Sequence, residues 1–220
     1  MTRTRAHLGQ NFLTSRDIAA DIANATGAGD GDTVLEVGPG HGILTRELLD
    51  LGARVIAFEI DPVLISELST SFADAIADGS LLLHTGDARD IPFEDLGLKT
   101  GKYSVAANIP YYITGAFIEH ILSREHHPKN AALLVQREVP DRILRRDTPG
   151  SILAVSVEAY GTPRFVRPVK AGSFSPKPRV HSAVIEIQNI SKDRFAAVSE
   201  TAFFTLVRRG FQEKRKTLTN

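Results

Sequence analysis

The segment Glu36-Val37-Gly38-Pro39-Gly40-His41-Gly42 constrains this chain more than any other. Glycines at alternate positions let a backbone turn sharply and approach another group closely. The apolar run Thr33–Val37 leads into the segment, and Leu44–Leu51 leaves it with helical spacing. A short apolar run ending in glycines reads as a buried strand. The helix that follows at once aims its unpaired N–H groups at the same turn. Strand, glycine turn and helix therefore predict the nucleotide-binding corner of a parallel sheet. The dinucleotide fingerprint Gly-x-Gly-x-x-Gly is not met, because Gly42 comes one position early and Ile43 stands where glycine is needed. That counts against a nicotinamide cofactor.

The rest of the first half alternates in the same way. Arg54–Phe58 is β-branched and apolar, a second strand. Asp61 is a predicted N-cap and Pro62 a first helical residue. Leu81–His84, Ser104–Ala107 and Ala131–Gln136 read as three further strands, and Thr114–Leu122 as a helix with Phe117, Ile118, Ile121 and Leu122 on one face. Strands alternating with helices argue for an α/β fold with a parallel sheet covered on both faces. Two later segments, Ile152–Tyr160 and Val180–Ile187, read as antiparallel strands. The stretch between them, with Pro163, Pro168, Pro176 and Pro178, reads as a long loop. Arg194–Val207 reads as a helix.

Composition excludes several classes. With 220 residues, 42% apolar and 24% charged, the chain is neither disordered nor fibrous. No apolar run approaches the ~18 residues of a membrane span, and no secretory signal is visible. The absence of cysteine removes disulfides, thiolate metal sites and cysteine nucleophiles, and fits a cytoplasmic protein. The seven histidines are scattered, with His126-His127 in a loop, so no metal site is expected. The zero net charge conceals a division. The first hundred residues hold seven Lys and Arg against 16 Asp and Glu; the remainder hold 19 against ten. An excess of cations in one half points to a polyanionic partner there. Thr162 to Ile185 contains no acid and carries Arg164, Arg167, Lys170, Lys177 and Arg179. A second cluster comprises Arg208, Arg209, Lys214, Arg215 and Lys216. Such groups near phosphates release counterions and give salt-dependent affinity; Arg145 and Arg146 read as helix surface.

The Glu-x-Gly-x-Gly-x-Gly pattern resembles the first motif of class I methyltransferases, which bind S-adenosylmethionine. That resemblance implies a Rossmann-like fold with a mostly parallel seven-stranded sheet, one antiparallel late strand and helices on both faces. Glu59 ends the second strand, where a carboxylate can hold ribose hydroxyls. Asp87, after the third strand, falls where the resemblance places an acceptor for the cofactor's adenine amine. Asn108-Ile109-Pro110-Tyr111 resembles the Asn-Pro-Pro-Tyr motif of amino methyltransferases. Two acceptors, the Asn108 side chain and the Ile109 carbonyl, can draw an adenine N6 toward tetrahedral geometry. Pro110 fixes the backbone direction, and Tyr111 offers a ring to an extruded base. Tyr112 reads as packing against the following helix rather than as a second stacking ring.

The match then narrows to a family. His7-Leu8-Gly9-Gln10-Asn11-Phe12-Leu13, Gln136-Arg137-Glu138-Val139, the run Phe174-Ser175-Pro176-Lys177-Pro178-Arg179-Val180-His181-Ser182-Ala183-Val184 and Phe211–Leu218 resemble segments of the ribosomal RNA adenine dimethyltransferases. The resemblance implies dimethylation of two adjacent adenosines near the 3′ end of 16S rRNA. It implies S-adenosylmethionine as cofactor, ribosomal RNA as partner, no membrane and a monomer. A branch acting on 23S rRNA, and a non-catalytic RNA-binding factor, are the alternatives; His181 replaces the small-subunit branch's usual aspartate. Residue by residue it implies cofactor contacts at Asn11, Leu13, Gly38, Gly40, Glu59, Asp87 and Asn108. Phe174 would stack on the target adenine opposite Tyr111. Residues 1–190 would form the methyltransferase domain, and 191–220 the final helix and the start of a helical region that family members continue.

Overall fold

The computed structural model describes residues 11–144 and 150–212. Nine strands are described: β1 (Phe12–Leu13), β2 (Thr33–Val37), β3 (Arg54–Glu59), β4 (Leu81–Thr85), β5 (Tyr103–Ala107), β6 (Asn130–Gln136), β7 (Thr162–Val169), β8 (Phe174–Ser175) and β9 (Ser182–Gln188). The helices are α1 (Arg16–Ala25), α2 (Ile43–Asp50), α3 (Pro62–Ser71), α4 (Ala73–Ala77), α5 (Thr114–Ser123), α6 (Glu138–Ile143), α7 (Ile152–Tyr160) and α8 (Glu200–Gln212).

Seven strands form one sheet in the order β4-β3-β2-β5-β6-β9-β7. The first five pair in parallel, and β9 pairs antiparallel with both β6 and β7. Among the described strands of this sheet, β9 alone runs against the others. This is the mixed α/β architecture that the class I resemblance implies. Neighbouring strand residues divide between two cores. Leu35, Ile56, Val105 and Leu133 pack with α5 and α7 on one face. Val34, Val55, Ala106 and Ala132 pack with α1 and α2 on the other. Burial on both faces explains why these strands read as continuous apolar runs. Asp61 caps α3 as expected, its Oδ1 accepting from the Val63 N–H at 2.9 Å ahead of Pro62.

The late half departs from expectation. Ile152–Tyr160 is helix α7, not a strand. Short apolar runs are ambiguous by periodicity; here the Ser151 hydroxyl accepts from the Ala154 N–H at 3.1 Å and starts a helix. The proline-bearing stretch expected as loop contains β7. Pro163 and Pro168 are tolerated because β7 is the sheet edge, where the absent N–H leaves no ladder bond unmade. Prolines and arginines there also oppose edge-to-edge pairing. The helix expected over Arg194–Val207 is divided into a 3-10 turn, Asp193–Phe195, and α8. The break lies at Ser199, whose hydroxyl faces the Ala202 N–H at 3.4 Å. Tyr160, Phe195, Phe203 and Phe204 stack together, and the Tyr160 hydroxyl donates to Glu200, tying α8 to α7.

Two distant sequence segments meet in β1 and β8, which pair antiparallel with Leu13 opposite Phe174. The Thr14 N–H and hydroxyl extend the clip to the Ser173 carbonyl at 2.9 and 3.0 Å. Among the described residues no helix is long and apolar enough to cross a membrane. Arg145 and Arg146, like Lys214, Arg215 and Lys216, lie outside the described residues.

Candidate functional site

Chain order along the sheet reverses between β2 and β5. Open α/β sheets bind ligands outside the carboxyl ends of strands at such a switch point. An open cleft lies there, and its walls come from the ends of β2, β3, β4 and β5.

The glycine turn forms its floor. Gly38 has φ +75°, and a Cβ there would stand 2.9 Å from the Asn108 carbonyl oxygen. The turn and the β5 end are thus packed backbone against backbone. Gly42 has φ +82° and is the N-cap of α2; a Cβ there would overlap the Phe72 ring at 2.4 Å. Gly38→Ala is expected to lose ~2 kcal/mol from the left-handed backbone alone, with the carbonyl contact adding to it. Thermal unfolding should show Tm lower by roughly 4–8 °C.

Glu59, at the end of β3, is 3% exposed and lines the cleft. Its Oε2 accepts from the Gly40 N–H at 3.1 Å. Its Oε1 accepts from Ile60 and Asp61 at 2.9 and 3.0 Å. A carboxylate offers about four lone-pair directions, so these bonds leave one on the oxygen shared with the glycine turn. Burial raises the Glu59 pKa, and the three N–H donors hold it back. Asp87, beyond β4, is clasped by Arg89 through Oδ1 at 2.9 Å and Oδ2 at 2.5 Å. The Arg89 pair holds its pKa below the usual carboxylate range, so Asp87 is a fixed anion.

Asn108-Ile109-Pro110-Tyr111 continues from β5 along the cleft. The Asn108 backbone is anchored by its N–H to the Val37 carbonyl at 3.2 Å. Its side-chain amide makes no hydrogen bond to any described residue. Ile109 is buried, and the Tyr111 hydroxyl shares a 2.6 Å hydrogen bond with the Ser182 hydroxyl. Burial raises the Tyr111 pKa more than that bond lowers it, so the ring is a neutral phenol. The bond also ties the Asn108–Tyr111 segment to the start of β9 at Ser182.

Asn11, Gly38, Gly40, Glu59, Asp87, Asn108, Ile109, Pro110 and Tyr111 all line this one cleft. Two expected residues do not. Leu13 and Phe174 face each other across the β1–β8 pair, and both pack in the core at 6% and 5% exposure. Phe174 is therefore not presented as a stacking ring. Tyr112, expected to pack on the following helix, is 75% exposed at the cleft instead. The walls include Phe12, Phe58 and Ile60, which sequence reasoning missed. Phe12 lies against His41 of the glycine turn, ring centroids 4.6 Å apart, and its ring is 3.0 Å from where a Gly40 Cβ would be. No sequence signal separated Phe12 from Asn11 and Leu13 beside it. Lys177 and Arg179 are exposed on the loop after β8. Arg209 is exposed on α8, and Arg208 there pairs with Glu119 at 3.3 Å.

The sequence model of one family, described as ribosomal RNA adenine dimethylase, matches residues 1–220. The chain belongs to that family. A ribosomal RNA small subunit methyltransferase A from Dehalococcoides mccartyi is 38% identical over 218 residues, covering 99% of this chain and 74% of that relative. A crystal structure of a dimethyladenosine transferase from Plasmodium falciparum superposes with TM-score 0.80 at 30% identity, covering 94% of this chain and 73% of that one. The 23S rRNA methyltransferase ErmE superposes with TM-score 0.78 at 26% identity, covering 92% and 80%. The cleft fits the S-adenosylmethionine that this family's first motif implies. Its floor is backbone without side chains at Gly38 and Gly40, and Glu59 and Asp87, each with spare acceptor capacity, line it.

Proposed function

We propose that the protein transfers methyl groups from S-adenosylmethionine to N6 of two adjacent adenosines near the 3′ end of 16S rRNA. The observation that carries this reading is the convergence of Asn108 with Glu59, Asp87 and Tyr111 on one cleft. Bound S-adenosylmethionine supplies an electrophilic methyl carbon on a sulfonium centre. The protein's residues supply position and polarity. Glu59 offers its remaining lone pair to ribose hydroxyls, and Asp87 accepts from the cofactor's adenine amine. Gly38 and Gly40 admit the amino-acid end to the backbone, with Asn11 at the rim.

An adenine N6 is a poor nucleophile because its lone pair is delocalised into the ring. The Asn108 Oδ1 accepts one N6–H and the Ile109 carbonyl the other. Together they localise the lone pair on nitrogen and stabilise the positive charge that develops there. Pro110 holds that carbonyl in direction, and the Tyr111 ring, fixed by Ser182, stacks on the base. Holding nitrogen and methyl carbon in line removes most of the entropic barrier. Lys177, Arg179, Arg208, Arg209, Lys214, Arg215 and Lys216 neutralise phosphates of the folded RNA. Residues 1–190 carry the chemistry, 191–220 begin a region that serves RNA binding, and the chain acts as a monomer in the cytoplasm.

The small-subunit target is favoured over 23S rRNA by the 38% identical relative, against 26% for ErmE. The test is tritiated methyl transfer to small subunits lacking the modification, with 23S RNA in parallel. Nuclease digestion should recover labelled dimethyladenosine from the 16S RNA. Label confined to 23S RNA, or none in either, overturns the reading.

A further inference from the structure

Tyr111 and Tyr112 are consecutive, yet their rings have opposite fates. Tyr111 is half-buried and bonded to Ser182. Tyr112 is 75% exposed, and neither its ring nor its hydroxyl contacts another ring or makes a hydrogen bond among the described residues. It is not a loose side chain. It sits in the 3-10 turn Tyr111–Ile113, which Pro110 opens at φ −55° and which runs directly into α5. The Ile113 N–H closes the turn on the Pro110 carbonyl at 3.2 Å. The backbone beneath the ring is therefore held from both sides. Tyr112 shares the cleft with Asn108 and with Arg89, whose guanidinium is fixed on Asp87.

The ring stands in water at the cleft mouth, on a backbone that is held from both sides. A base that leaves its strand leaves its neighbour with one face unstacked. Tyr111 and Tyr112 leave adjacent positions of one 3-10 turn and line the same cleft, so consecutive nucleotides can reach both. We infer that Tyr112 is the stacking platform for the nucleotide beside the target adenosine, and that it selects RNA in which this neighbour is a purine. The inference rests on the proposed methylation of adjacent adenosines, and it gives that substrate a physical reader. While one adenine lies against Tyr111, the other covers Tyr112.

The experiment uses small subunits assembled on 16S RNA that carries 2-aminopurine beside the target adenosine. Stacking quenches this base. Wild-type protein is expected to quench it on binding, Tyr112→Phe to quench it equally, and Tyr112→Ala to leave it bright. In methyl transfer, Tyr112→Ala should raise KM for the subunit about tenfold, within the range of base–aromatic stacking, while kcat changes far less. Placing uridine beside the target should weaken wild type and leave Tyr112→Ala nearly indifferent. The Ala variant should melt close to wild type, since the side chain is 75% exposed. Equal quenching by the Ala variant, or an equal KM, overturns the inference and leaves the methyl-transfer reading standing. Quenching that needs Tyr112 but brings no methyl incorporation supports the platform and sinks the reaction. Subunits that are not bound at all overturn both.

Discussion

Asn108→Ala is expected to lower kcat for methyl transfer by roughly 10²–10³, the loss associated with removing one preorganised transition-state partner. Affinity for RNA and for S-adenosylmethionine should stay within a few-fold. The split follows from how Asn108 is held. Its backbone N–H is tied to Val37, and its carbonyl is packed against Gly38, so both anchors survive loss of the side chain. Its side-chain amide has no partner among the described residues, so its removal opens no hydrogen bond elsewhere. The amide does its work only when an amino nitrogen faces it and charge develops there. A ground-state binding residue would raise KM instead. Single-turnover rates at saturating RNA, beside cofactor titration by calorimetry, separate the outcomes. Turnover within a few-fold of wild type would overturn the assignment of Asn108, and loss of cofactor binding would mean that its side chain holds the cofactor as well.

The cleft was readable from sequence because its parts are local. Glycine turn, strand-end acid and Asn-Ile-Pro-Tyr segment each sit where a short apolar strand stops, and a parallel sheet places all strand ends on one edge. Proximity between Glu59 and Gly40, 19 residues apart, then follows from topology alone. What stayed hidden depends on distant pairing. Phe174 looked like a stacking ring by family resemblance, but whether it faces the cleft depends on the β1 strand that covers it, 161 residues earlier in the chain. The same pairing buries Leu13 and turns Phe12 toward His41. Segments 152–160 and 162–169 were exchanged in type for a different reason. One is an apolar run short enough to suit either period. The other carries prolines, which forbid a central strand but not an edge.

Glu36→Gln is expected to change how stability depends on pH. Glu36 is fully buried, and neither of its carboxylate oxygens has a hydrogen-bond partner among the described residues. Burial pushes its pKa from the usual 4.5 up to about 8; the Thr45 hydroxyl beside it offsets part of the rise and Glu59 adds to it. Below about pH 4.5 the group is protonated in the folded and unfolded chain alike, and it has no linkage effect. Above that, the unfolded chain releases the proton while the folded protein keeps it. Stability therefore falls as pH rises, by about 1.4 kcal/mol per unit, until the folded group ionises near pH 8. By pH 7 the accumulated penalty is ~3 kcal/mol. Glutamine has nearly the same shape and no proton to lose. Its amide brings its own unmet hydrogen bonds, which set a constant offset, whereas the pH slope belongs to the carboxyl alone. Urea unfolding at pH 5, 6, 7 and 8 should give a variant-minus-wild-type difference that climbs steadily in the variant's favour. A flat difference would mean that Glu36 is ionised in the folded protein and finds a counter-charge there. A slope would mean that a neutral carboxyl underlies the glycine turn. A stability loss at neutral pH, placed two residues before Gly38, is the sort of local conflict that sequences retain where a site requires it.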